Sequence, residues 1–341
     1  MAVCDDIDGI FDVIARGDAP NDAALWALIA DQDGALFRVA EKVTRCFAPR
    51  TFNLCSIINA KSGACSENCR WCAQSRHWNV PGIPIYPVVA QDEIEAGAQR
   101  AESMGLMRYS LVTSGRKPSR RELRELCDRV KRLHQDHPSL EICVSLGLLN
   151  ETDIAALAKA GVVRVHCNLE TSERFFPQVC SSHTWQQKVQ TLKACRAAGL
   201  EICSGALIGM GETLQDRIDL ARALGQLHVP SIPINVLHPI PGTPLGSRAP
   251  LTDEVFLETV AIFRLLNPSA YLRFAGGRLQ LSQETVRMAR RIGINAAITG
   301  DFLTTCGATL LEDARAFVEA GYEAEPRISE ALRALGTKCE N

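Results

Sequence analysis

A chain of 341 residues is long enough for one large α/β barrel or for two ordinary domains. Its composition, 46% apolar and 22% charged, is typical of a soluble globular protein, and a net charge of −2 gives no general attraction to nucleic acid or to an acidic membrane surface. The first residues do not show the basic and apolar pattern of an export signal, and no apolar run approaches the ~18 residues of a membrane span. We therefore expect a cytoplasmic protein with neither nucleic acid nor membrane as a partner.

Residues 1–50 are predicted to form a helical extension ahead of the main body. A capped apolar helix is expected to begin at Asp22, and another is expected between Ala35 and Cys46. The first strand is predicted at Asn53–Asn59 and opens a main body of residues 51–320, which a tail of residues 321–341 follows.

Three cysteines directly after this strand, Cys65, Cys69 and Cys72, have the spacing C-x₃-C-x₂-C. Three thiolates on one short loop suit a 4Fe-4S cluster and leave the fourth iron without a protein ligand. An open metal position marks a reactive site. The alternatives are a zinc knuckle with a distant fourth ligand such as His77, or simple packing cysteines. The chain has fourteen cysteines, and because we expect no export signal, we expect them to be metal ligands or packing residues rather than disulfides.

Beyond the cysteine loop, short β-rich runs alternate with amphipathic helices. Apolar residues recur at helical spacing in segments that start near Leu123, Ile154 and Trp185. About eight such units fit the length, so the predicted fold is a (β/α)8 barrel of the TIM type, with a doubly wound open sheet as the alternative. The predicted C-terminal glycines of the helices are Gly105, Gly161, Gly199 and Gly293.

The predicted strands carry polar side chains at every second position. Helices must cover the apolar face of each strand, so the polar face points into the barrel. An unpaired buried polar group costs about 1–3 kcal/mol, and the barrel is therefore expected to enclose something polar. The polar face comprises Arg108, Ser110, Glu141, Cys143, Ser145, Arg164, His166, Asn168, Glu170, Glu201, Cys203, Asn235 and Arg273.

The cysteine spacing resembles the signature of the radical S-adenosylmethionine (SAM) superfamily. In that superfamily, the amino and carboxylate groups of SAM chelate the open iron, and one-electron cleavage of the sulfonium yields a 5′-deoxyadenosyl radical. The glycine-rich segment 205–212 resembles the part of the superfamily that contacts adenine. This resemblance implies cofactor contacts at Gly209, Gly211 and Glu212.

Within the superfamily, the chain resembles the biotin synthase family from about Ser56 to Thr305. Matching stretches include 62–69, 168–172, 203–205, 208–212, 232–235, 242–245, 271–278 and 303–305. The resemblance implies that two C–H bonds of dethiobiotin are replaced by C–S bonds at the expense of two SAM molecules, with the sulfur supplied by a second cluster deep in the barrel. It also implies a homodimer and an electron donor such as flavodoxin or ferredoxin.

In the family, the second cluster is 2Fe-2S and is held by three cysteines and one arginine. Cys143, Cys203 and Arg273 match three of these positions, although Arg273 could instead pair with a glutamate of the lumen. The fourth position is Ser110, and a serine is a poor iron ligand. We expect Cys180, in the loop after the fourth strand, to replace it, which would allow a four-iron variant. An ordinary loop residue is the alternative interpretation of Cys180, and Cys167 is a weaker ligand candidate.

The resemblance implies roles for the remaining candidates. Asn168 and Asn235 would bind the ureido ring of dethiobiotin, whose N–H groups and carbonyl complement an amide. The other implied contacts are Thr304 and Thr305 with the carboxylate tail, Glu170 with the ribose of SAM, and Lys188 and Arg108 with its methionine carboxylate.

Three rival interpretations remain open at this point. A sister radical enzyme, like a hydrogenase maturase or a methylornithine synthase, would share the barrel and the cysteine loop. A non-catalytic iron–sulfur protein would have no use for a polar lumen. A zinc-dependent nucleic-acid module is disfavoured by the absence of a basic stripe.

Overall fold

The computed structural model describes residues 2–300 and 309–336. Three helices precede the barrel: α1 (Ala2–Ala15), α2 (Asp22–Ala30) and α3 (Ala35–Phe47). The side chain of Asn21 accepts a hydrogen bond from the backbone of Ala24 and caps α2, close to the predicted start. The apolar face of α3 packs against two helices of the barrel wall, so the extension closes over one side of the main body.

Nine parallel strand segments are present in the described part of the chain, and they form a closed barrel. The two short segments β5 and β6 are halves of the fifth barrel strand, separated at Ser204–Gly205. The sheet runs in the order β5-β4-β3-β2-β1-β9-β8-β7-β6, and Cys203 of β5 also pairs with Ser231 of β7. This closure confirms the predicted (β/α)8 barrel and excludes the open sheet. The strands are β1 (Asn53–Lys61), β2 (Arg108–Thr113), β3 (Glu141–Ser145), β4 (Val162–His166), β5 (Glu201–Cys203), β6 (Ala206–Ile208), β7 (Ser231–Val236), β8 (Tyr271–Phe274) and β9 (Ile294–Ile298).

Helices cover the outer face of the barrel, and their apolar stripes form the core with the outward face of the strands. Several begin at a Ser, Thr or Asn whose side chain accepts a backbone N–H of the first turn, as Ser119 and Asn150 do. The helices are α4 (Gln91–Ser103), α5 (Arg120–Asp136), α6 (Glu151–Ala160), α7 (Phe176–Val179), α8 (Trp185–Ala197), α9 (Leu214–Gln226), α10 (Asp253–Leu266), α11 (Gln283–Ile292), α12 (Leu310–Glu319) and α13 (Pro326–Gly336).

Three of the four predicted terminal glycines, Gly105, Gly161 and Gly199, have the positive φ expected of a helix C-terminus. For the fourth glycine, Gly293, the predicted left-handed conformation was wrong. Gly293 ends α11 with an extended φ of 173°. A Cβ at Gly293 would lie 2.9 Å from Cγ1 of Val260, so close packing rather than a left-handed turn requires the glycine.

Ion pairs lie at the end of the barrel where the strands begin. Arg108 contacts Glu141 at 2.5 Å and Glu201 at 3.1 Å, and Arg164 contacts Glu201 at 2.6 Å. The two arginines are buried, whereas the glutamates are partly exposed at 37% and 47%. These pairs close the lower end of the barrel and leave the opposite end for a ligand. Among the described residues, no helix combines the length and the apolar character needed to cross a bilayer.

Candidate active site

The barrel encloses a cavity of about 390 Å³, which is within the usual range for small-molecule sites. Eleven of the thirteen residues predicted to face the lumen line it, which confirms the polar lumen. The exceptions are Glu141 and Glu201, which lie at the lower end and pair with Arg108 and Arg164. Trp71, Cys72 and Gln74 of the cysteine loop also line the cavity, so this loop covers the upper end.

The strands run in parallel, so residues near the start of a strand lie toward the lower end of the barrel and residues near its end lie toward the mouth. Cys143, Cys203 and Arg273 are each the third residue of a strand and lie deep in the cavity. Asn235 is the fifth residue of β7, and Asn168 follows the end of β4. The cavity therefore has deep cysteines, amides above them, and the cysteine loop at the mouth.

The cysteine loop folds back on itself through backbone hydrogen bonds. Cys65 N donates to Gln74 O at 2.9 Å, and Arg76 N donates to Cys65 O at 2.9 Å. Trp78 Nε1 donates to Cys69 O at 2.9 Å. Burial raises the pKa of Cys72, which faces the cavity, to about 11. All three cysteines are thus held on one compact loop at the mouth of the barrel.

An acidic residue inside this loop attaches it to the segment before α8. Glu67 accepts hydrogen bonds from His183 Nδ1 at 2.6 Å and Ser182 Oγ at 2.8 Å, and it pairs with Arg116 at 3.3 Å. Burial opposes the charge of Glu67, but these three partners lower the pKa of its carboxyl group. Sequence reasoning did not identify Glu67, His183 or Arg116, because their spacing carries no signal of a contact.

Cys180 lies beside the cysteine loop and does not line the cavity. Its Sγ is 3.8 Å from Cys69 Sγ and 3.4 Å from His183 Nδ1. The hydrogen bond with Cys69 and the one with His183 lower the pKa of Cys180 to about 3, although burial opposes this. We expected Cys180 to complete the deep ligand set. Its placement at the mouth of the barrel does not support that expectation, because the loop after β4 turns toward Cys69.

The glycine-rich segment forms a tight turn at the upper end of the fifth strand. The carboxylate of Glu212 accepts N–H groups from Gly209 and Met210, both at 2.8 Å, and so stabilises the turn. Gly209 and Gly211 have φ values of 95° and 107°. Glu170 pairs with Ala206 beside this turn and has a φ of 69°, which is unusual for a residue with a side chain. The segment and Glu170 are thus adjacent, as a shared cofactor contact requires.

Hydrogen bonds fix both amides: three go to the backbone, and one goes to the carboxylate of Glu170. Asn168 Oδ1 accepts Gly205 N–H at 2.7 Å, and Nδ2 donates to Glu170 at 2.8 Å. Asn235 Oδ1 accepts Gly276 N–H at 3.0 Å, and Nδ2 donates to Ala206 O at 2.9 Å. An amide oxygen has two lone pairs and an NH₂ group has two hydrogens. Each amide therefore keeps one donor and one acceptor position beyond these bonds.

The two predicted partners of the methionine carboxylate lie at opposite ends of the barrel. Lys188 is buried near Cys69 and Glu170, and its Nζ donates to Asn168 O at 2.8 Å. Burial opposes its charge, but Cys167, Glu170 and other neighbours raise the pKa of Lys188. Arg108 begins β2 and pairs with the glutamates of the lower end, so it does not reach the cysteine loop.

Arg273 is almost fully buried and donates to neutral groups. Nη1 lies 2.8 Å from Ala297 O and 3.1 Å from Asn53 O, and Nη2 lies 2.6 Å from Asn53 Oδ1. Among the described residues, none of its hydrogen-bond partners is a carboxylate. Arg273 therefore does not pair with Glu141 or Glu201, and that alternative interpretation was wrong.

The deep cysteines lie in a positive environment. Burial would raise the pKa of Cys203, but His166, Arg164 and Arg273 lower it to about 6. Burial raises the pKa of Cys143 to about 11. A further cysteine, Cys55 of β1, also lines the cavity, and its Sγ is 3.3 Å from Arg273 Nη1. Sequence reasoning missed Cys55, although its position two residues after Asn53 places both on one face of β1.

The residues present fit two iron–sulfur centres. Thiolates are the usual ligands of such clusters, and both the loop and the deep cavity offer several cysteines. A buried guanidinium needs a negative partner, and a thiolate-bound cluster beside Arg273 would supply one.

Comparison with known proteins identifies the family. The profile of the Radical SAM superfamily matches residues 60–224, and that of the Biotin and Thiamin Synthesis associated domain matches residues 233–323. A biotin synthase of Porphyromonas gingivalis is 47% identical over 303 residues, which cover 89% of this chain and 91% of that protein. A biotin synthase of Parabacteroides distasonis is 45% identical and covers 91% and 94%. The chain belongs to the biotin synthase family.

Membership of this family makes the chain a sulfur-inserting radical SAM enzyme of biotin synthesis. Its cofactors are a 4Fe-4S cluster, SAM and an auxiliary iron–sulfur cluster, which is 2Fe-2S in the family. The fold is shared more widely. A methylornithine synthase structure has a TM-score of 0.78 at 16% identity, covering 95% of this chain and 99% of that one. For the FeFe-hydrogenase maturase HydG from Carboxydothermus hydrogenoformans, the TM-score is 0.76 at 16% identity, with coverage of 96% and 82%.

Proposed function

We propose that this enzyme converts dethiobiotin to biotin, with the substrate bound between the two iron–sulfur centres. The order of groups along the barrel axis carries this proposal. The cysteine loop lies at the mouth, Asn168 and Asn235 lie below it, and Cys143 and Cys203 lie deepest. A substrate held by the amides has the cofactor on one side and the sulfur source on the other, as hydrogen abstraction followed by sulfur insertion requires.

The ureido ring binds to Asn168 and Asn235. Each amide keeps one N–H and one lone pair beyond its bonds within the protein, and these match the carbonyl and the N–H groups of the ring. Both amides are already oriented by these bonds, so little side-chain entropy is lost when the ring binds. The carboxylate tail of dethiobiotin binds to Thr304 and Thr305, which lie outside the described residues.

At the mouth of the barrel, Cys65, Cys69 and Cys72 hold the 4Fe-4S cluster. When bound there, SAM supplies the 5′-deoxyadenosyl radical that abstracts hydrogen. Glu170 would accept hydrogen bonds from the ribose hydroxyl groups of SAM. The ammonium group of Lys188 would pair with the methionine carboxylate of SAM. The turn that contains Gly209, Gly211 and Glu212 would contact the adenine of SAM. Trp71, Leu207 and Ile240 add apolar surface to the cavity wall and limit access of water to the radical.

Anaerobic incubation with dethiobiotin, SAM and a strong reductant, followed by mass spectrometry, tests the proposal. If the clusters are reconstituted with ³⁴S-sulfide, the biotin formed should carry the label. Cleavage of SAM without biotin would favour another radical enzyme of the same fold, and absence of cleavage would favour a non-catalytic iron–sulfur protein. A homodimer, and flavodoxin or ferredoxin as the electron donor, remain predictions that sedimentation and reconstitution assays would check.

A further inference from the structure

Ser110 leaves the auxiliary cluster one cysteine short of the family's ligand set. We propose that Cys55, on the neighbouring strand β1, supplies the missing thiolate, so that Cys55, Cys143, Cys203 and Arg273 hold the cluster, with Arg273 giving up one proton to bind iron as a neutral guanidine. This inference rests on the proposed presence of the auxiliary cluster in the lumen. In the family pattern the corresponding ligand lies at position 110 on β2, whereas here it lies on β1.

Contact with Arg273 is the first observation. Cys55 Sγ lies 3.3 Å from Arg273 Nη1. Two ligand atoms on a tetrahedral ion with bonds of about 2.3 Å lie roughly 3.7 Å apart, so the two side chains already have nearly the spacing of ligands in one cluster. The Arg273 side chain reaches this position across β9, where it also donates to Ala297 O at 2.8 Å.

The second observation is that the deep ligands converge. Cys55 lines the same cavity as Cys143 and Cys203. Cys203 Sγ and Arg273 Nε both lie 3.4 Å from Ser231 Oγ, so Arg273 connects the side of the lumen that carries Cys203 with the side that carries Cys55. Four donors from β1, β3, β5 and β8 thus surround one region of the lumen.

Strand register relates Cys55 to the position of the missing cysteine. Ser110 pairs with Ile57 of β1, and Cys55 faces the lumen two residues before Ile57. This offset corresponds to about 6.6 Å of strand toward the lower end of the barrel. Arg273 is in register with Asn53 through Ala296 of β9, so Cys55 lies nearer to Arg273 along the strand direction than position 110 does.

The other candidates are placed less well. Cys180 contacts Cys69 at the mouth of the barrel. Cys167 belongs to the hydrophobic core outside the lumen. The side chain of Ser110 does line the cavity, but a neutral hydroxyl is a weaker iron ligand than a thiolate.

Metal analysis of Cys55→Ala after anaerobic reconstitution tests the inference. We expect this variant to keep the four irons of the loop cluster and to lose the auxiliary iron and sulfide, with the matching loss in the absorption and Mössbauer spectra. The control Cys195→Ala removes a buried thiol from α8, outside the lumen, and should retain both clusters. Cys180→Ala should also retain the auxiliary iron.

A swap of the two positions provides a second test. Cys55→Ser combined with Ser110→Cys moves the thiolate to the family position and should restore the auxiliary iron that Cys55→Ala loses. Reductive cleavage of SAM needs only the loop cluster and shows whether each variant is folded. Full auxiliary iron in a folded Cys55→Ala protein would overturn the assignment of Cys55. If the wild-type protein binds only four irons and forms no biotin, the proposed function fails instead.

Discussion

Asn235 shows how one side chain serves both the barrel and its ligand. Its amide connects β6 to the segment after β8 through hydrogen bonds with Ala206 O and Gly276 N. The residue lines the cavity, where its remaining N–H and lone pair can bind a ligand. Because a single hydrogen bond contributes about 1 kcal/mol net, removal of a residue with several partners affects both stability and binding.

We predict that Asn235→Ala raises the KM for dethiobiotin about tenfold, since the loss of one or two ligand hydrogen bonds corresponds to roughly 1.4 kcal/mol. Steady-state assays of biotin formation would measure this. The control Asn150→Ala removes the N-cap of α6 and should lower the free energy of unfolding by about 1 kcal/mol without a change in KM. An unchanged KM in Asn235→Ala would mean that the amide does not contact the substrate.

The interruption of the fifth strand positions several site residues at once. At Gly205 the backbone turns to accommodate Asn168, and β6 then continues beside β7. A Cβ on Gly205 would lie 1.9 Å from Pro233 O, so the two strands can approach only because this residue has no side chain.

We predict that Gly205→Ala forces the fifth strand away from β7 and lowers the free energy of unfolding by more than about 3 kcal/mol, because the clash involves backbone on both sides. Chemical denaturation would measure the change. The matched control is Gly9→Ala in α1, where nothing lies within 4 Å of the added Cβ and helix propensity favours alanine. Equal stability of the two variants would contradict this account of the interruption.

A buried carboxylate connects the loop after β4 to the start of α9. Asp216 accepts hydrogen bonds from Ser172 Oγ at 2.6 Å and Thr213 N at 2.8 Å, and it pairs with Arg174 at 2.5 Å. Burial opposes the charge, but these partners lower the pKa of Asp216. Its stabilising effect is therefore present above the unfolded-state pKa of about 3.9 and is lost as the pH falls through the lower folded-state value.

We predict that Asp216→Asn lowers the free energy of unfolding by about 2–4 kcal/mol at pH 7. The amide cannot accept hydrogen bonds from both Ser172 and Thr213, and it carries no charge to pair with Arg174. The difference from wild type should stay constant from pH 8 to pH 5 and shrink below about pH 4, where the carboxyl group becomes protonated in the unfolded protein while it is still charged in the folded one. Urea denaturation of cluster-free protein at several pH values would measure it. A difference that is the same at pH 3 and pH 7 would show that charge plays no part.

Strand periodicity predicts much of this molecule because it is a local property. Alternating strands and helices give the barrel, and the polar positions of each strand give the lumen. The same rule applied to β1 would have identified Cys55. Contacts between distant loops are different, since neither the Glu67–His183 pair nor the approach of Cys180 to Cys69 leaves a spacing pattern. The closure of the barrel between β5 and β7, on which the cavity depends, is likewise a long-range pairing.

The two clusters should differ in how much they stabilise the whole molecule. Ligands of the loop cluster lie within residues 65–72, whereas Cys143, Cys203 and Arg273 come from three separate strands. A cross-link stabilises more when it closes a longer stretch of chain, so the auxiliary cluster constrains the unfolded state far more strongly.

We predict that reconstitution raises the unfolding temperature by roughly 5–10 °C when only the auxiliary cluster forms, and by less when only the loop cluster forms. A Cys65→Ala/Cys72→Ala variant isolates the first case and a Cys143→Ala/Cys203→Ala variant the second. Anaerobic calorimetry would measure the unfolding temperature of each variant before and after reconstitution. Because each variant is compared with itself, the substitutions do not contribute to the difference. A larger increase in the variant that keeps only the loop cluster would mean that the deep cluster does not bridge the strands of the barrel.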